Sequence, residues 1–422
     1  MQLGRLRAFL FFIVAFVAIA WPRFASAQDG DSSGDQTAAR KEDKAQKEAE
    51  VGKAPEDATT KHVSLDVAGY TDSDHISVFT PSVSGSIENV ITGAAIRGSY
   101  LVDVVSAASV DIVSTASRRW TEARQAGTAE VEYKPRDFGV SIAGSTSSEP
   151  DYFSFGTGVT MTYDLLEKNI TLIGGYGYGH DTAGRSGTPF SVFSRDISHG
   201  AFTAGVSGVV DRSTIVSGVF DLTLENGDSS KPYRYIPMFS AAEAAQVSAG
   251  ASIDYVNAHR LSERPLEQLP LSRRNFSFTS RLAHRFDSST LRAEERIYYD
   301  SWGLAASTTD ARWIFDLGKR FAIWPHVRFH AQKSVSFWQL AYVSGAAPGW
   351  DLPEYRTGDR ELGPLMTFTG GAGIRTYLGS DAEPRRYAIG LQGDAGYTAF
   401  SDDLYVTSRS MFLLSLHFEG EL

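Results

Sequence analysis

The feature that most constrains this chain is an alternation of apolar and polar residues that recurs from Val63 to Phe418. In the last alternating segment, Phe412, Leu414 and Leu416 fall on one face of an extended chain, and the residues between them fall on the other. A period of two residues indicates β-strands with two unlike faces. The sixteen predicted strands lie at 63–70, 76–87, 92–104, 123–133, 138–148, 152–164, 169–180, 200–210, 213–225, 273–286, 289–300, 305–317, 320–333, 364–377, 386–399 and 409–418.

The lengths of the connections between these strands test the count independently. Even-numbered strands are followed by short turns that are charged or contain Gly or Ser, such as Asp287-Ser288. Long connections all follow odd-numbered strands, and one miscounted strand would scatter them to both sides. Short turns at one end and long loops at the other are typical of bacterial outer-membrane barrels. The long connections lie at 105–122, 181–199, 226–272 and 334–363.

The chemistry of the two faces separates a membrane barrel from a soluble β-sandwich or barrel. On strand 320–333, Phe321 and Ile323 oppose His326 and Arg328. In a soluble barrel of sixteen strands, the apolar face would line a tunnel too wide for side chains to fill. With the faces reversed, apolar groups contact lipid and polar groups line a wet lumen, and closure leaves no unpaired edge. We predict an all-β fold, a transmembrane antiparallel up-and-down β-barrel of about sixteen strands with long extracellular loops, over residues 62–422.

The N-terminal region has the features of an export signal followed by a linker. Basic residues precede an apolar run at 8–21, and Ala-Ser-Ala at 25–27 precedes Gln28. The run is shorter than the ~20 residues that a membrane-spanning helix needs, so we predict a signal peptide over 1–27. Residues 28–61 are rich in Asp, Glu, Lys, Ala and Gln and have too little apolar surface to offset the entropy of folding. We predict a charged, disordered periplasmic linker there.

Composition excludes several classes of protein. Hydrophobic residues make up 42% of the chain, which is too few for a helical membrane protein but suits strands in which every second residue faces lipid. The chain has no cysteine, which excludes disulfides and thiolate metal sites. A formal net charge of −10 argues against nucleic-acid binding. We expect no cofactor, no metal and no nucleic-acid partner; the predicted partners are outer-membrane lipid and small solutes.

Three segments have distinctive local sequences, including K-P-Y-R-Y-I-P-M-F at 231–239. The other two run from Ser99 to Ser117 and from Arg264 to Arg273. These segments resemble an uncharacterised family of predicted outer-membrane β-barrel proteins of Gram-negative bacteria, a domain of unknown function. The resemblance extends from about Leu65 to the end of the chain. It implies the same location and fold, and it assigns no catalytic residues because the family has no assigned activity.

The inward faces of the strands within 273–300 and 305–333 carry many basic residues. Adjacent strands lie ~4.8 Å apart, so these side chains would form a ladder across one wall of the barrel. The strands within 138–180 and 200–210 present Gly, Ser and Thr inward instead. Arginines facing small residues predict a path for anions, and the alternative is a salt-bridged lumen that rigidifies the barrel. The predicted lumen-lining residues are Arg281, Arg285, Arg292, Glu294, Arg296, Asp310, Arg312, His326, Arg328 and His330.

One charged residue conflicts with this scheme. In the predicted register Glu295 faces lipid beside Ala293 and Ile297, where a charge is costly unless it lies near an interface. A β-bulge, a contact between subunits or an error of register would each account for it, and the sequence does not choose among the three.

Two long connections have the composition of a constriction. Residues 103–122 combine small side chains with two carboxylates, and they would either fold into the pore or extend the strands above the membrane. The connection at 226–272 carries aromatic residues beside arginine, which favours a packed lid, a constriction or an outer recognition surface. The residues assigned to a constriction loop are Asp103, Asp111, Tyr233, Arg234 and Tyr235.

The motifs of an enzyme are weak. His180 and Asp181 lie at the predicted outer rim and serines follow them, but no G-x-S-x-G or H-E-x-x-H motif is present. His326 and His330 are separated by about 13 Å along one strand, too far to share a metal ion. We therefore predict that the protein is not an enzyme.

These observations together favour an outer-membrane protein, exported by its signal peptide, that acts as a porin-like channel for small solutes, with anions among the candidates. Two alternatives stay open. One is a closed barrel that serves as a binding or assembly platform, and the other is a lipid-modifying hydrolase of the outer membrane.

Overall fold

The computed structural model describes residues 58–107, 120–185, 187–232, 234–345, 351–380 and 385–422. Sixteen strands of this part of the chain form one closed antiparallel barrel, which confirms the predicted fold. The barrel strands are β1 (Thr59–Asp72), β2 (Ser77–Asn89), β3 (Ala94–Ala107), β4 (Trp120–Tyr133), β5 (Phe138–Glu149), β6 (Tyr152–Leu165), β7 (Ile170–Ala183), β8 (Arg195–Asp211), β9 (Thr214–Gly227), β11 (Ser272–Arg285), β12 (Ser289–Asp300), β13 (Ala305–Leu317), β14 (Phe321–Lys333), β16 (Leu365–Leu378), β17 (Tyr387–Phe400) and β18 (Ser408–Glu421).

Five further short elements of the described residues lie outside the barrel wall. Strands β10 (Met238–Phe239) and β15 (Tyr342–Val343) pair in parallel with each other. Helix α1 (Ala241–Ala244) follows β10, α2 (Ile253–His259) follows α1, and a 3₁₀ turn covers Arg360–Leu362. Among the described residues, no helix combines the length and apolar character needed to span a membrane. The predicted signal peptide and most of the predicted linker lie outside the described residues.

Each barrel strand pairs with its neighbours in the sequence, and β1 pairs with β18 to close the ring. The seam between them is a continuous antiparallel register from His62 opposite Glu421 to Asp72 opposite Met411. On the lumen side of this seam the His417 imidazole contacts the Asp66 carboxylate. Because an antiparallel ring needs an even number of strands to bring both ends together, β1 begins and β18 ends on the same side.

The connections fall into two sets, as their lengths predicted. At one end, which we call the short-turn end, the turns are brief, such as 134–137 between β4 and β5 and 318–320 between β13 and β14. At the other end, the long-loop end, lie the connections 228–271 and 334–364. The parity rule read from the sequence therefore describes the structure.

Apolar side chains cover the outer surface of the barrel. Ile142 on β5 is 59% exposed, Ile297 on β12 is 56% exposed and Phe368 on β16 is 57% exposed. Their neighbours along each strand point the other way, into the lumen, and are polar or small. Near the short-turn end, for example, Arg97 on β3 contacts Glu88 at 2.6 Å and Glu132 at 2.7 Å. The faces are thus the reverse of those in a soluble protein.

The two longest connections fold together over the long-loop end, and we call their described residues within 228–271 and 334–364 the cap. The cap has a core of its own: Met238 and Phe239 are fully buried and Ile236 is 1% exposed. Tyr342 and Leu261 pack against this core. Cap segments also join through single β-bridges, between Tyr235 and Leu266 and between Gln268 and Arg356.

The cap is bound to three shorter connections at the same end of the barrel. Gly250 N donates to Asp403 O at 2.8 Å, and Ser336 N donates to Trp302 O at 2.7 Å. Arg360 pairs with buried Asp74 at 2.7 Å. These contacts lie on different sides of the mouth, so the cap is held over it at several points.

Candidate functional site

The ten residues predicted to line the lumen lie on one face of β11 to β14. The strand register places Arg281 opposite Glu294, and Glu294 opposite Asp310. Asp310 in turn lies opposite Arg328 on β14. One row across the wall therefore places two acidic groups between two basic groups. This face is opposite to the one that carries the exposed apolar side chains of the same strands.

Part of the basic charge on this wall is neutralised by ion pairs. Arg281 Nε contacts Glu294 Oε2, and Arg285 contacts Asp316 at 2.6 Å. Arg328 lies 3.7 Å from Asp310. The alternative of a salt-bridged lumen therefore describes the ion-paired part of the wall. The expectation of a ladder of arginines describes the rest.

Two arginines differ from the rest. Neither Arg296 nor Arg312 makes a hydrogen bond or ion pair with any residue that the structure describes. Both are half-buried. Arg312 also lies directly opposite Arg292, and like charges in that position repel each other. The middle of this wall consequently keeps an excess of positive charge.

The imidazole of His326 links two strands that are not neighbours. Its Nε2 lies 3.0 Å from Asp310 Oδ2 on β13, and its Nδ1 lies 2.6 Å from Asp394 Oδ1 on β17. Strand β16 lies between β14 and β17. The imidazole crosses β16 at Gly371, where an added Cβ would lie 2.0 Å from Asp394 Oδ1. Contact across an intervening strand is possible here because this face is concave and the residue beneath has no side chain.

A second pair crosses the same strand in the same way. Trp324 Nε1 donates to Gln392 Oε1 at 3.3 Å, and the indole lies over Gly373. An added Cβ at Gly373 would lie 2.2 Å from Trp324 Cε2. Sequence reasoning missed Gln392 and Asp394 because they are distant in the chain. The only signal in the sequence was the pair of inward-facing glycines on β16, Gly371 and Gly373, which have one residue between them. Without side chains there, groups on β14 can reach across β16.

The wall opposite this network is lined by small side chains. The register of β6 and β7 puts Gly156, Gly158, Gly175 and Gly177 on the lumen face. Ser141 on β5 faces the same way and is buried. Because these residues project little, this side of the lumen leaves space that the arginine-bearing side does not fill.

Acidic groups are concentrated beneath the cap. Carboxylate oxygens of Glu122, Glu149 and Asp151 lie within 4.8 Å of one another, close enough to share a divalent cation. Further round the ring His199 Nε2 lies 2.5 Å from Asp181 Oδ2. The acidic trio was not found from the sequence because its members come from two strands and a turn.

The structure separates the residues of the weak enzyme motif. His180 is on the outer face of β7, 3.6 Å from Asp196 and with its ring centroid 5.8 Å from that of Phe155. Asp181, the next residue, points to the lumen and contacts His199. Alternation along a strand therefore places the two members of the motif on opposite faces.

The residues assigned to a constriction loop have different locations. Asp103 is not in a loop: it lies within β3, accepts a hydrogen bond from Thr80 at 2.6 Å and is 3.6 Å from Arg124. Of the two expectations for that segment, an extension of the strands describes Asp103. Asp111 and Tyr233 lie outside the described residues.

Arg234 and Tyr235 both belong to the cap. Arg234 is buried and contacts Glu267 and Asp359, each at 2.8 Å. It therefore binds two cap segments together and does not line an opening. Tyr235 is 41% exposed, and the guanidinium of Arg264 lies 5.6 Å from its ring centroid.

The environment of Asp359 favours its charged form. Burial alone would raise the pKa of this carboxyl group. The nearby charge of Arg234 and the hydrogen bond from it outweigh burial, so the pKa of Asp359 lies below its ordinary value. The same pair of carboxylates raises the pKa of Arg234, although burial opposes this. The pair is thus fully ionised at neutral pH.

A protein-family model matches residues 37–383, and its description is "Protein of unknown function (DUF3570)". The chain belongs to this family. The match covers nearly the whole barrel and bears out the resemblance read from the sequence. No curated protein sequence is detectably similar to this member of DUF3570.

The solved structures that this chain matches are remote in sequence and have TM-scores below 0.5. The siderophore receptor PirA from Acinetobacter baumannii is 13% identical with a TM-score of 0.41, over 82% of this chain and 54% of the receptor. This DUF3570 chain thus spans about half the length of that receptor. OccAB1 from the same organism is 9% identical with a TM-score of 0.38, over 86% of this chain and 97% of OccAB1. CdiB from Acinetobacter baumannii is 10% identical with a TM-score of 0.46, over 86% and 60%.

The substitution Gly373→Ala tests the network that crosses β16. The new methyl group would collide with the indole of Trp324, and overpacking of this kind costs about 1–3 kcal/mol. We expect a lower unfolding temperature, measured by circular dichroism and by the heat-dependent shift of the folded barrel on gels. Gly370→Ala is the matched control, because the nearest atom to its Cβ is 3.7 Å away on the outer face. Equal effects of the two changes would contradict the bridging arrangement.

The substitution Arg234→Ala tests the buried pair in the cap. It leaves the fully buried Glu267 side chain and its neighbour Asp359 without their cation, and removing one partner of such a pair costs about 3–5 kcal/mol. We expect faster hydrogen exchange in the cap with unchanged exchange in the strands, measured by mass spectrometry. Glu263→Ala, which removes an exposed charged side chain of the cap, is the control. Unchanged cap protection in Arg234→Ala would show that the pair does not hold the cap.

Acidification should loosen the cap through Asp359. A carboxyl group with a depressed folded pKa stabilises the fold above its unfolded pKa of about 3.9 and loses that contribution as the pH falls through the folded value. We expect the distribution of distances between spin labels at Asn257 on the cap and Ser401 on the rim to broaden below about pH 4. In Asp359→Asn the distance distribution should already be broader at pH 7, and it should change less on acidification. An identical acid response in both proteins would exclude Asp359 as its source.

Proposed function

We propose that this protein is an outer-membrane channel for small polar solutes with a preference for anions. One observation carries the proposal: a closed ring of sixteen strands with apolar side chains outside and polar or small side chains inside. A barrel of this size has a lumen wider than its side chains can fill.

A membrane location is supported by the outer surface. Exposed Leu, Ile, Val, Phe and Tyr side chains recur on successive strands around the ring, a surface far more extensive than the apolar patches of soluble proteins. Closure leaves no unpaired strand edge, which is what a bilayer requires of a β-protein. We therefore place the barrel in an outer membrane with the short turns on the periplasmic side and the cap outside.

The preference for anions is supported by the arginine-bearing wall. Arg296 and Arg312 make no direct ion pair or hydrogen bond with a described residue, although carboxylates lie near enough to interact with their charge. An anion in the lumen would relieve the repulsion between Arg312 and Arg292, while the small side chains of β6 and β7 leave it room. Basic side chains in a pore attract anions and set its selectivity.

The cap supports control of access from outside. It covers the long-loop end, has its own buried core and is attached to the rim at several points. We infer that solutes pass around or beneath the cap and that its loosening widens the path.

Single-channel recording tests the channel. Purified, refolded protein in a planar bilayer should give discrete conductance steps, and the reversal potential in a potassium chloride gradient should show that chloride is more permeant than potassium. The absence of any current from protein that shows the folded-barrel shift on gels would contradict the proposal. Larger conductance in Arg234→Ala would assign the restriction to the cap.

The double substitution Arg296→Gln and Arg312→Gln tests the selectivity. Loss of two unpaired cations from the lumen should shift the reversal potential towards that of a non-selective pore, with little change in unfolding temperature because no ion pair is broken. Arg274→Gln, which removes one positive charge from the outer face of β11, is the control for a change of charge outside the lumen. An unchanged reversal potential in the double variant would separate these arginines from ion selection.

The second proposal is a closed barrel that acts as a binding or assembly platform, and the cap is the observation that favours it. A cap with a fully buried core could seal the mouth and present its outer surface to a partner. Under this proposal neither the wild type nor Arg234→Ala conducts. The recordings described above therefore decide between the two functions.

A further inference from the structure

The outer face of β11 to β13 carries a polar patch where the rest of the wall is apolar. Glu295 lies near the middle of β12 and faces outward. Of the outward-facing positions on the described barrel strands, it is the only one near mid-strand with an acidic or basic side chain. Its carboxylate accepts hydrogen bonds from Ser307 at 2.6 Å and from Thr309 at 2.5 Å.

Neither a bulge nor a shifted register explains this position. The pairing of β12 with β11 runs without interruption from Thr290 to Asp300, and its pairing with β13 is equally regular. Two of the three explanations that the sequence allowed are therefore removed. The remaining explanation is contact with another protein.

Lipid cannot satisfy this group. A carboxylate has about four acceptor positions, and Ser307 and Thr309 occupy two of them. Acyl chains have no hydrogen-bond donors, and headgroups lie at the interface and not at mid-strand depth. Whatever covers Glu295 must therefore bring polar groups to the middle of the bilayer, and protein can do this.

The residues beside Glu295 permit close approach. Ala293 and Ala311 lie opposite each other on the outer face, and Ala305 continues the row on β13. Serine at position 280 faces Glu295 from β11. Small residues replace the Leu, Val and aromatic side chains that cover most of the wall, as is common where membrane-spanning elements pack together.

We infer that two copies of this chain meet through this patch, with Glu295 close to a two-fold axis normal to the membrane. The inference rests on the membrane location proposed above. A second copy lies at the same depth in the bilayer. Its Glu295 and the hydroxyl groups beside it are therefore at the same height as the patch that they would contact. A different protein would have to match that depth independently.

The chemistry of the patch suits contact with itself. The hydroxyl hydrogens of Ser307, Thr309 and Ser280 are already donated to Glu295 within the chain. Across a two-fold axis the donor is therefore a protonated Glu295 carboxyl group, and the acceptor is the carboxylate of the second copy. Two carboxyl groups that meet at the axis can share a proton, which removes their mutual repulsion. Most of the remaining outer wall is apolar and stays in contact with lipid.

Cysteine cross-linking tests the inference directly, because the natural chain has no cysteine. The variant Ala311→Cys, embedded in lipid vesicles and oxidised, should give a covalent dimer of twice the chain mass. We expect at least a tenfold higher yield than from Ile142→Cys, an exposed mid-strand position on β5 across the barrel. Equal yields from the two variants would overturn the inference.

Two further changes in the Ala311→Cys background identify the cause. Glu295→Leu makes the patch compatible with lipid and should reduce the dimer to the level of Ile142→Cys. Ala293→Trp should do the same by holding the walls apart. Both changes are on the outer face, so the folded-barrel shift on gels should stay unchanged. Full cross-linking in Glu295→Leu would exclude Glu295 as the determinant.

The remaining outcomes also decide the matter. Adducts of Ala311→Cys with a protein of another mass in native outer membranes, without the dimer, would replace the second copy by a different partner. Dimers formed by a barrel that gives no current would support this interface and contradict the channel proposal. Current from a protein that forms no dimers would support the channel and contradict the interface.

Discussion

Backbone hydrogen bonding is the constraint on which the rest of this structure depends. A sheet surrounded by apolar surface on its outer side must leave no strand edge unpaired, and the pairing of β1 with β18 meets that condition. Closure of an antiparallel ring has three consequences. The number of strands is even, β1 begins and β18 ends at the short-turn end, and every second residue of each strand faces the lumen. The long connections can consequently gather at one mouth and fold into a single cap.

The lumen is organised by differences in side-chain size between neighbouring strands. Glycine at positions 371 and 373 lets Trp324 and His326 cross a whole strand and bind residues of β17. Such a bridge stiffens one wall, and Arg296 and Arg312 on the same wall make no hydrogen bond or direct ion pair with any described residue. The proposed anion path requires such rigid support beneath its basic groups, because they then stay in place without an anion to hold them.

The cap and the Glu295 patch are the two places where this barrel departs from a plain cylinder. In the cap, buried Arg234 joins two carboxylates, which is costly to assemble and costly to break. On the outer wall, the patch places the Glu295 carboxylate among apolar side chains, where we infer contact with a second copy. Both features use charge where apolar packing alone would not select one arrangement over others.

The sequence alone determined the strand number, the order of short and long connections and the face on which each residue lies, because a period of two and the parity of loop lengths are local signals. It also selected the ten residues on the lumen face of β11 to β14. It did not determine that His326 contacts Asp394, because the two residues are distant in the chain and meet only when the barrel closes. Nor did it determine that Arg234 is buried against Glu267 and Asp359, which requires the cap to fold. Nor could it remove two of the three explanations for Glu295. Register is a relation between strands, and only the assembled sheet decided it.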